Sequence, residues 1–159
     1  MKSRMTENEA LSSMAAYCSK AEHCRFEIRN KLLQNDELND EAIERILNRL
    51  ENENFINDER YTRSFVNDKF RFFKWGKMKI KQALYLKQIP SEIVNKQLSE
   101  IDEKEYLFVL HHLLEAKKKT ISAKNQYEYN IKLIRYAMGK GFDLEDIKQC
   151  LEKQQKTKA

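Results

Sequence analysis

Phe70-Arg71-Phe72-Phe73-Lys74-Trp75 interleaves aromatic rings with cations, and no acidic residue interrupts residues 69–87. That stretch carries Lys69, Arg71, Lys74, Lys77, Lys79, Lys81 and Lys87. Cations meet phosphates or carboxylates, and rings stack on bases or on one another, so the mixture suits a polyanionic partner. Two readings compete. In one, Phe72, Phe73 and Trp75 pack beneath the helices that follow, and the lysines form an ordinary solvated face. In the other the cations face a partner, because a core cannot take their charge. The candidate contact residues are Lys69, Arg71, Lys74, Trp75, Lys77, Lys79, Lys81 and Lys87.

Catalysis has less to stand on. Gly139-Lys140-Gly141 is too short for a phosphate-binding loop and lacks the strand before it. His111 and His112 are adjacent, so on a helix they diverge and do not chelate together. Cys18, His23 and Cys24 have no second pair to complete a metal site. No Ser or Cys has a sequence context that identifies an activating base. The expectation is a non-enzyme without metal or cofactor. Three cysteines without paired spacing fit reduced thiols, and neither a signal peptide nor a membrane span is evident, so a cytoplasmic protein is expected.

The elements that must position the basic stretch are written in a five-point apolar pattern that occurs three times. It reads Ile28-Leu32-Leu38-Ile43-Leu47, then Ile80-Leu84-Ile89-Val94-Leu98, then Leu133-Ala137-Phe142-Ile147-Leu151. A gap of four keeps two residues on one helix face, and five or six across a polar break marks a turn. With 3 Gly and 1 Pro there are few helix breakers. The pattern therefore predicts an all-α chain, an elongated, slightly curved array of three tandem three-helix repeats over 6–54, 55–101 and 102–155. Serial units of this kind make long surfaces.

Nine helices follow from the punctuation. Thr6 with Glu9 opens the first. The second runs over about 25–34, with Cys24 where a capping Ser is usual. Asn39-Asp40-Glu41 opens the third and Asn57-Asp58-Glu59 the fourth, which should bury Tyr61, Phe65, Phe72 and Phe73 and end at Gly76. Helix five covers 77–87, and Pro90 suits the first position of the sixth. Asp102 with Glu105 starts the seventh. Helices eight and nine flank Gly139-Lys140-Gly141, where one glycine should supply a left-handed cap. Charge is uneven along this order. Residues 36–59 hold nine acids against Arg45 and Arg49, whereas the whole chain is +5.

Several of these residues carry a family resemblance. Asn54-Phe55-Ile56-Asn57-Asp58-Glu59-Arg60-Tyr61, Phe65-Val66, Trp75-Gly76, Lys79-Ile80, Leu84 and Lys87-Gln88-Ile89 resemble the central signature of RecX regulators of the RecA recombinase. Lys20-Ala21-Glu22-His23-Cys24-Arg25-Phe26-Glu27-Ile28 with Lys31-Leu32 resembles the opening motif, and Gly141-Phe142 with Ile147 the last repeat. The likeness spans about 17–151. Cys24 departs from the usual Ser, and Leu38 and Ile89 each lack the Gly expected before them. The resemblance implies a slender array of three-helix repeats in the groove of the RecA–DNA filament. It also implies inhibition or modulation of filament extension, ATP hydrolysis and strand exchange, by a monomer with no membrane partner. Single- or double-stranded DNA, bound non-specifically, is a secondary expected partner. The rival expectation is a free-standing helix-turn-helix-like nucleic-acid-binding module. Against it, the start of the basic helix offers Lys77 and Lys79, which attract phosphate without naming a base.

Overall fold

The structure, a computed structural model, describes residues 4–157, with side chains up to residue 154. These residues form α1 (Glu7–Lys20), α2 (Arg25–Leu32), α3 (Asp40–Asn52), α4 (Asp58–Arg71), α5 (Lys77–Leu86), α6 (Ser91–Ser99), α7 (Glu103–Lys118), α8 (Gln126–Gly139) and α9 (Leu144–Thr157). No strand occurs among the described residues, so the fold is all-α as expected. No described helix is long and apolar enough to cross a membrane.

The helices begin where short polar side chains meet orphan N–H groups. Thr6 accepts from the Glu9 N–H at 3.2 Å, Asn39 from Ala42 at 2.8 Å, and Asn57 from Arg60 at 2.9 Å. Asp102, Asn125 and Asp143 do the same for Glu105, Glu128 and Asp146 at 3.0, 2.8 and 2.8 Å. Each such cap contributes about 1 kcal/mol. At α2, where Cys24 replaces the usual capping Ser, the Glu27 carboxylate accepts from the Cys24 N–H at 3.2 Å and closes that half of the box. Pro90 falls one position earlier than expected. It precedes α6, and its carbonyl accepts from the Ile93 and Val94 N–H groups at 3.1 and 3.2 Å.

The chain divides into two compact units, Met1–Phe65 with Leu84–Val94 and Val66–Ala83 with Asn95–Ala159. In the first, α3 packs on α1 and α2. Ile28, Leu32, Ile43, Ile46, Leu47, Leu50 and Ile56 fill its core, edged by Met14, Tyr17 and Leu38. Several signature residues are structural here. Asp58 accepts from the Arg25 N–H at 3.0 Å at the open end of α2. Arg60 donates to the Glu22 carboxylate at 2.5 Å and to the Asn54 carbonyl at 3.0 Å. In the second unit α7, α8 and α9 pack on one another around Tyr106, Leu110, Leu114, Leu133, Ala137, Phe142 and Ile147. Every residue of the threefold apolar pattern is buried except Leu38 and Leu151, which are half-buried.

One expectation about α4 fails. Tyr61, Val66 and Phe70 are buried, whereas Phe72 and Phe73 are 78% and 54% exposed. The helix stops at Arg71, so those two rings lie beyond its buried stripe, and Phe70 takes the inner place against Tyr106 at 5.7 Å. Nor does Gly76 turn the chain. Lys74 adopts the left-handed conformation, with φ 58°, and the Trp75 N–H then reaches back to the Lys69 carbonyl at 2.9 Å.

Candidate interaction surface around Trp75

Gly76 is needed for contact and not for conformation. A Cβ there would stand 2.3 Å from the Gly141 carbonyl carbon and 2.5 Å from the Phe142 nitrogen. Without it, the Gly76 N–H donates to the Lys140 carbonyl at 2.7 Å and the Met78 N–H to the Gly141 carbonyl at 3.0 Å. Gly141 answers from the other side. Its φ is 102°, the left-handed cap expected between α8 and α9, and a Cβ on it would stand 2.4 Å from the Lys79 Cβ. Two glycines thus let the start of α5 lie backbone to backbone against the α8–α9 turn. Tyr106 on α7 completes the seat. Its phenol oxygen accepts from the Lys77 N–H at 3.0 Å, and its ring meets Phe142 at 5.1 Å.

That seat sets the cations. Trp75 is half-buried, and the Lys69 and Lys79 ammonium groups lie 4.9 and 4.5 Å from its ring centroid. Lys69 also lies 4.4 Å from the Phe73 centroid, and Lys77 lies 4.8 Å from that of Tyr106. Contacts of this type are worth about 0.5–1 kcal/mol at exposed sites, and they fix a cation without neutralising it. Lys140 joins from the α8–α9 turn, donating to the Phe73 carbonyl at 2.9 Å. Burial, with the Lys79 charge beside it, holds the Lys140 ammonium below the usual lysine range. A region that presses positive groups together in this way favours an anion over water alone.

The sequence candidates do not all share this arrangement. Lys69, Trp75 and Lys79 converge, and Lys77 joins them through the seat on Tyr106. Lys74 is exposed and its ammonium donates to the Arg71 carbonyl at 2.6 Å. Arg71 is paired with Glu105 at 3.3 Å, and Lys81 is exposed on α5. Lys87 belongs to the other unit, where it pairs with Glu27 at 3.2 Å. Residue types alone did not point to Lys140, Tyr106 or Glu105. One signal was present: in a chain with 3 glycines, Gly76 and Gly141 each stand next to a lysine, Lys77 and Lys140.

Comparison with known proteins agrees with this architecture. The profile of the second three-helix domain of RecX matches residues 57–98, and that of the third matches residues 104–151. The "Regulatory protein RecX" of Prosthecochloris aestuarii is 32% identical over 145 residues, which cover 91% of this chain and 92% of that protein. The protein of the same name from Clostridium beijerinckii is 34% identical over 129 residues, 80% of this chain but 59% of its own length. A crystal structure of RecX from Lactobacillus salivarius superposes with a TM-score of 0.84 at 23% identity, over 92% of this chain and 95% of that one, and supports the fold. A chain whose described residues form nine helices, whose middle and last helical triplets match RecX domains, and whose nearly full-length relative is a regulatory RecX protein, belongs to the RecX family of regulatory proteins.

Proposed function

We propose that this chain regulates the RecA recombinase by lodging in the groove of the RecA–DNA filament, as a monomer in the cytoplasm. There it inhibits or modulates filament extension, ATP hydrolysis and strand exchange. The observation that carries the reading is the pair of ammonium groups held on Trp75 with Lys140 beside them, a positive surface built on a rigid seat. Its counterpart is an acidic recombinase surface or the DNA strand that the filament encloses. The five cations of the basic segment, Arg71, Lys74, Lys77, Lys79 and Lys81, add to the attraction of Lys69 and Lys140, Arg71 by exchanging Glu105 for the partner. Three helical repeats, over 6–54, 55–101 and 102–155, multiply weak contacts, and linked contacts gain through effective concentration.

An ATPase titration of the cognate recombinase on single-stranded DNA tests the reading. The wild-type chain should inhibit turnover, and the variant with all five cations changed to Ala should require at least about 100-fold more protein, at about 1 kcal/mol for each of several lost contacts. Wild-type inhibition by that variant at moderate salt defeats the proposal. Inhibition at substoichiometric amounts indicates action at growing filament ends, and inhibition only near saturation indicates coating.

Phe72 and Phe73 favour a second reading. Their exposure beside Lys69 and Lys74 suits stacking on unpaired bases, as a free-standing single-strand-binding module would require. Cosedimentation separates the two. Retention on bare DNA alone supports the module, and retention that needs the recombinase supports the filament.

A further inference from the structure

Between α7 and α9 lies a cleft of about 280 Å³ that shares no residue with the surface around Trp75. Small-molecule pockets usually hold about 300–1,000 Å³, so this one suits one or two apolar side chains and not a large cofactor. Leu107, Phe108 and Cys150 form its apolar walls. Phe108 is 61% exposed at the mouth of the groove, with the His112 ring against it at 4.2 Å. Burial, with Asp146 nearby, pushes the Cys150 thiol up, so the floor stays uncharged.

The polar lining is one-sided. Lys104 and Lys153 stand exposed at the edge, and no carboxylate lines the cleft. His111 completes it with a donor whose placement is fixed. The Lys118 ammonium can only donate, so the buried Gln154 presents Oε1 to it and turns Nε2 toward His111 Nδ1 at 2.8 Å. Nδ1 then accepts, which leaves the Nε2 N–H as the ring's donor. Lys104, Lys153, His111 and the exposed Gln149 amide ring an apolar slot, and no carboxylate is among the lining groups.

We propose that this cleft docks an acidic amphipathic segment of a partner protein. One or two apolar side chains of that segment enter over Leu107 and Phe108, while its carboxylates meet Lys104, Lys153 and the His111 N–H. Helices recognised this way present apolar anchors on one face and charge beside them, and the groove supplies the complement of both. A nucleic-acid strand fits less well, because its phosphates would find only two lysines and its bases no exposed stack beyond Phe108. The inference does not depend on the filament reading.

The test is a titration of the isotopically labelled full chain, followed by amide resonances, with a short helix-forming peptide that carries Leu and Phe on one face and Glu on the other. Saturable shifts are expected at Leu107, Phe108, His111 and Cys150. Lys104→Glu with Lys153→Glu should weaken binding about tenfold or more, since charges that attracted now repel. Both positions are exposed, so the unfolding midpoint should hold. The same peptide with Lys in place of Glu should leave the resonances unmoved, an arm that needs no variant to fold. Equal binding by the Lys peptide, undiminished binding by the double variant, or stronger shifts at the same residues with oligothymidylate would overturn the proposal.

Discussion

The two units treat their cations differently. In Met1–Phe65 with Leu84–Val94, guanidinium and ammonium groups are matched to carboxylates. Arg25 meets Glu44 at 2.7 Å and Glu51 at 2.9 Å, Arg45 meets Glu7 at 2.7 Å, and Lys87 meets Glu27 at 3.2 Å. In Val66–Ala83 with Asn95–Ala159, lysines sit on rings: Lys69 and Lys79 on Trp75, Lys77 on Tyr106, Lys117 on Tyr136. This second unit has ion pairs too, Arg71 with Glu105 among them, and the first has a ring contact, Lys31 on Tyr17 at 4.3 Å, but the balance between the two devices differs. A carboxylate cancels the charge that it positions, and a ring positions without cancelling. The first unit therefore ties more of its cations into ion pairs, and the second holds more of them against rings.

The contrast breaks most severely at the seat of α5. Gly76→Ala places a methyl group 2.3–2.5 Å from backbone atoms of Gly141 and Phe142, which no rotamer change can relieve. The strands of backbone must separate, and the expected loss is about 3 kcal/mol, the upper range for overpacking. Urea unfolding measures it, and the proposed inhibition of the recombinase should fall as the platform tilts. Gly139→Ala is the control. A Cβ there meets nothing within 4 Å, and Ala should gain about 0.5–1 kcal/mol at a helical position. Equal effects at the two glycines would mean that the close approach does not hold the cations in place.

Much of this was legible along the chain because it is local. Caps such as Asn39 and Asp102 act over three residues, and the apolar pattern repeats within single helical triplets, so helix starts and core positions could be read directly. The end of α4 could not. No Gly or Pro separates Phe70 from Trp75, and the left-handed residue there is Lys74, a type that gives no warning. That single turn decided which phenylalanines are buried. The seat of the basic segment was hidden for another reason. Gly76 meets Gly141, and Tyr106 meets the Lys77 amide, across long stretches of chain that periodicity cannot connect. Two of the candidate cations, Arg71 and Lys87, find carboxylates from other helices for the same reason.

Smaller substitutions sharpen the difference between paired and ring-held charge. Arg25→Ala removes a guanidinium whose side chain is 22% exposed and which also bonds Asn48 at 3.1 Å. The expected loss is about 1–2 kcal/mol, above the range for lone surface pairs because a network of partners is left behind. Lys79→Ala should cost under about 1 kcal/mol of stability, as one ring contact is lost, while weakening the proposed filament interaction. Tyr106→Phe should cost as much as Arg25→Ala. It strands the Lys77 N–H, at about 1–2 kcal/mol. Burial pushes the Tyr106 phenol up to about 12, against an opposing pull from the Lys77 amide. The folded state thus favours the neutral phenol: this contribution is whole below the ordinary tyrosine value of 10.0 and fades as pH rises toward 12. A stability profile across that alkaline window should flatten in Tyr106→Phe, and an unchanged slope would count against the phenol as anchor.

The finest comparison lies between two helix ends of the same design. The Ile89 N–H reaches the Leu84 carbonyl at 3.2 Å after Gln88, and the Phe142 N–H reaches the Ala137 carbonyl at 3.2 Å after Gly141. Gln88 has φ 55° and Gly141 φ 102°, so one unit closes its helix with a side chain where the other uses a glycine. A left-handed residue with a Cβ costs roughly 1–2 kcal/mol, and glycine returns about 0.5–1 kcal/mol of that through its freer unfolded chain. Gln88→Gly should therefore gain about 0.5–1 kcal/mol in urea unfolding. Its mirror, Gly141→Gln, should lose far more, because strain is joined by a Cβ 2.4 Å from that of Lys79. Should Gln88→Gly bring no gain, the exposed glutamine would have to be stabilising its turn by some contact beyond backbone geometry, and the two ends would be alike only in outline.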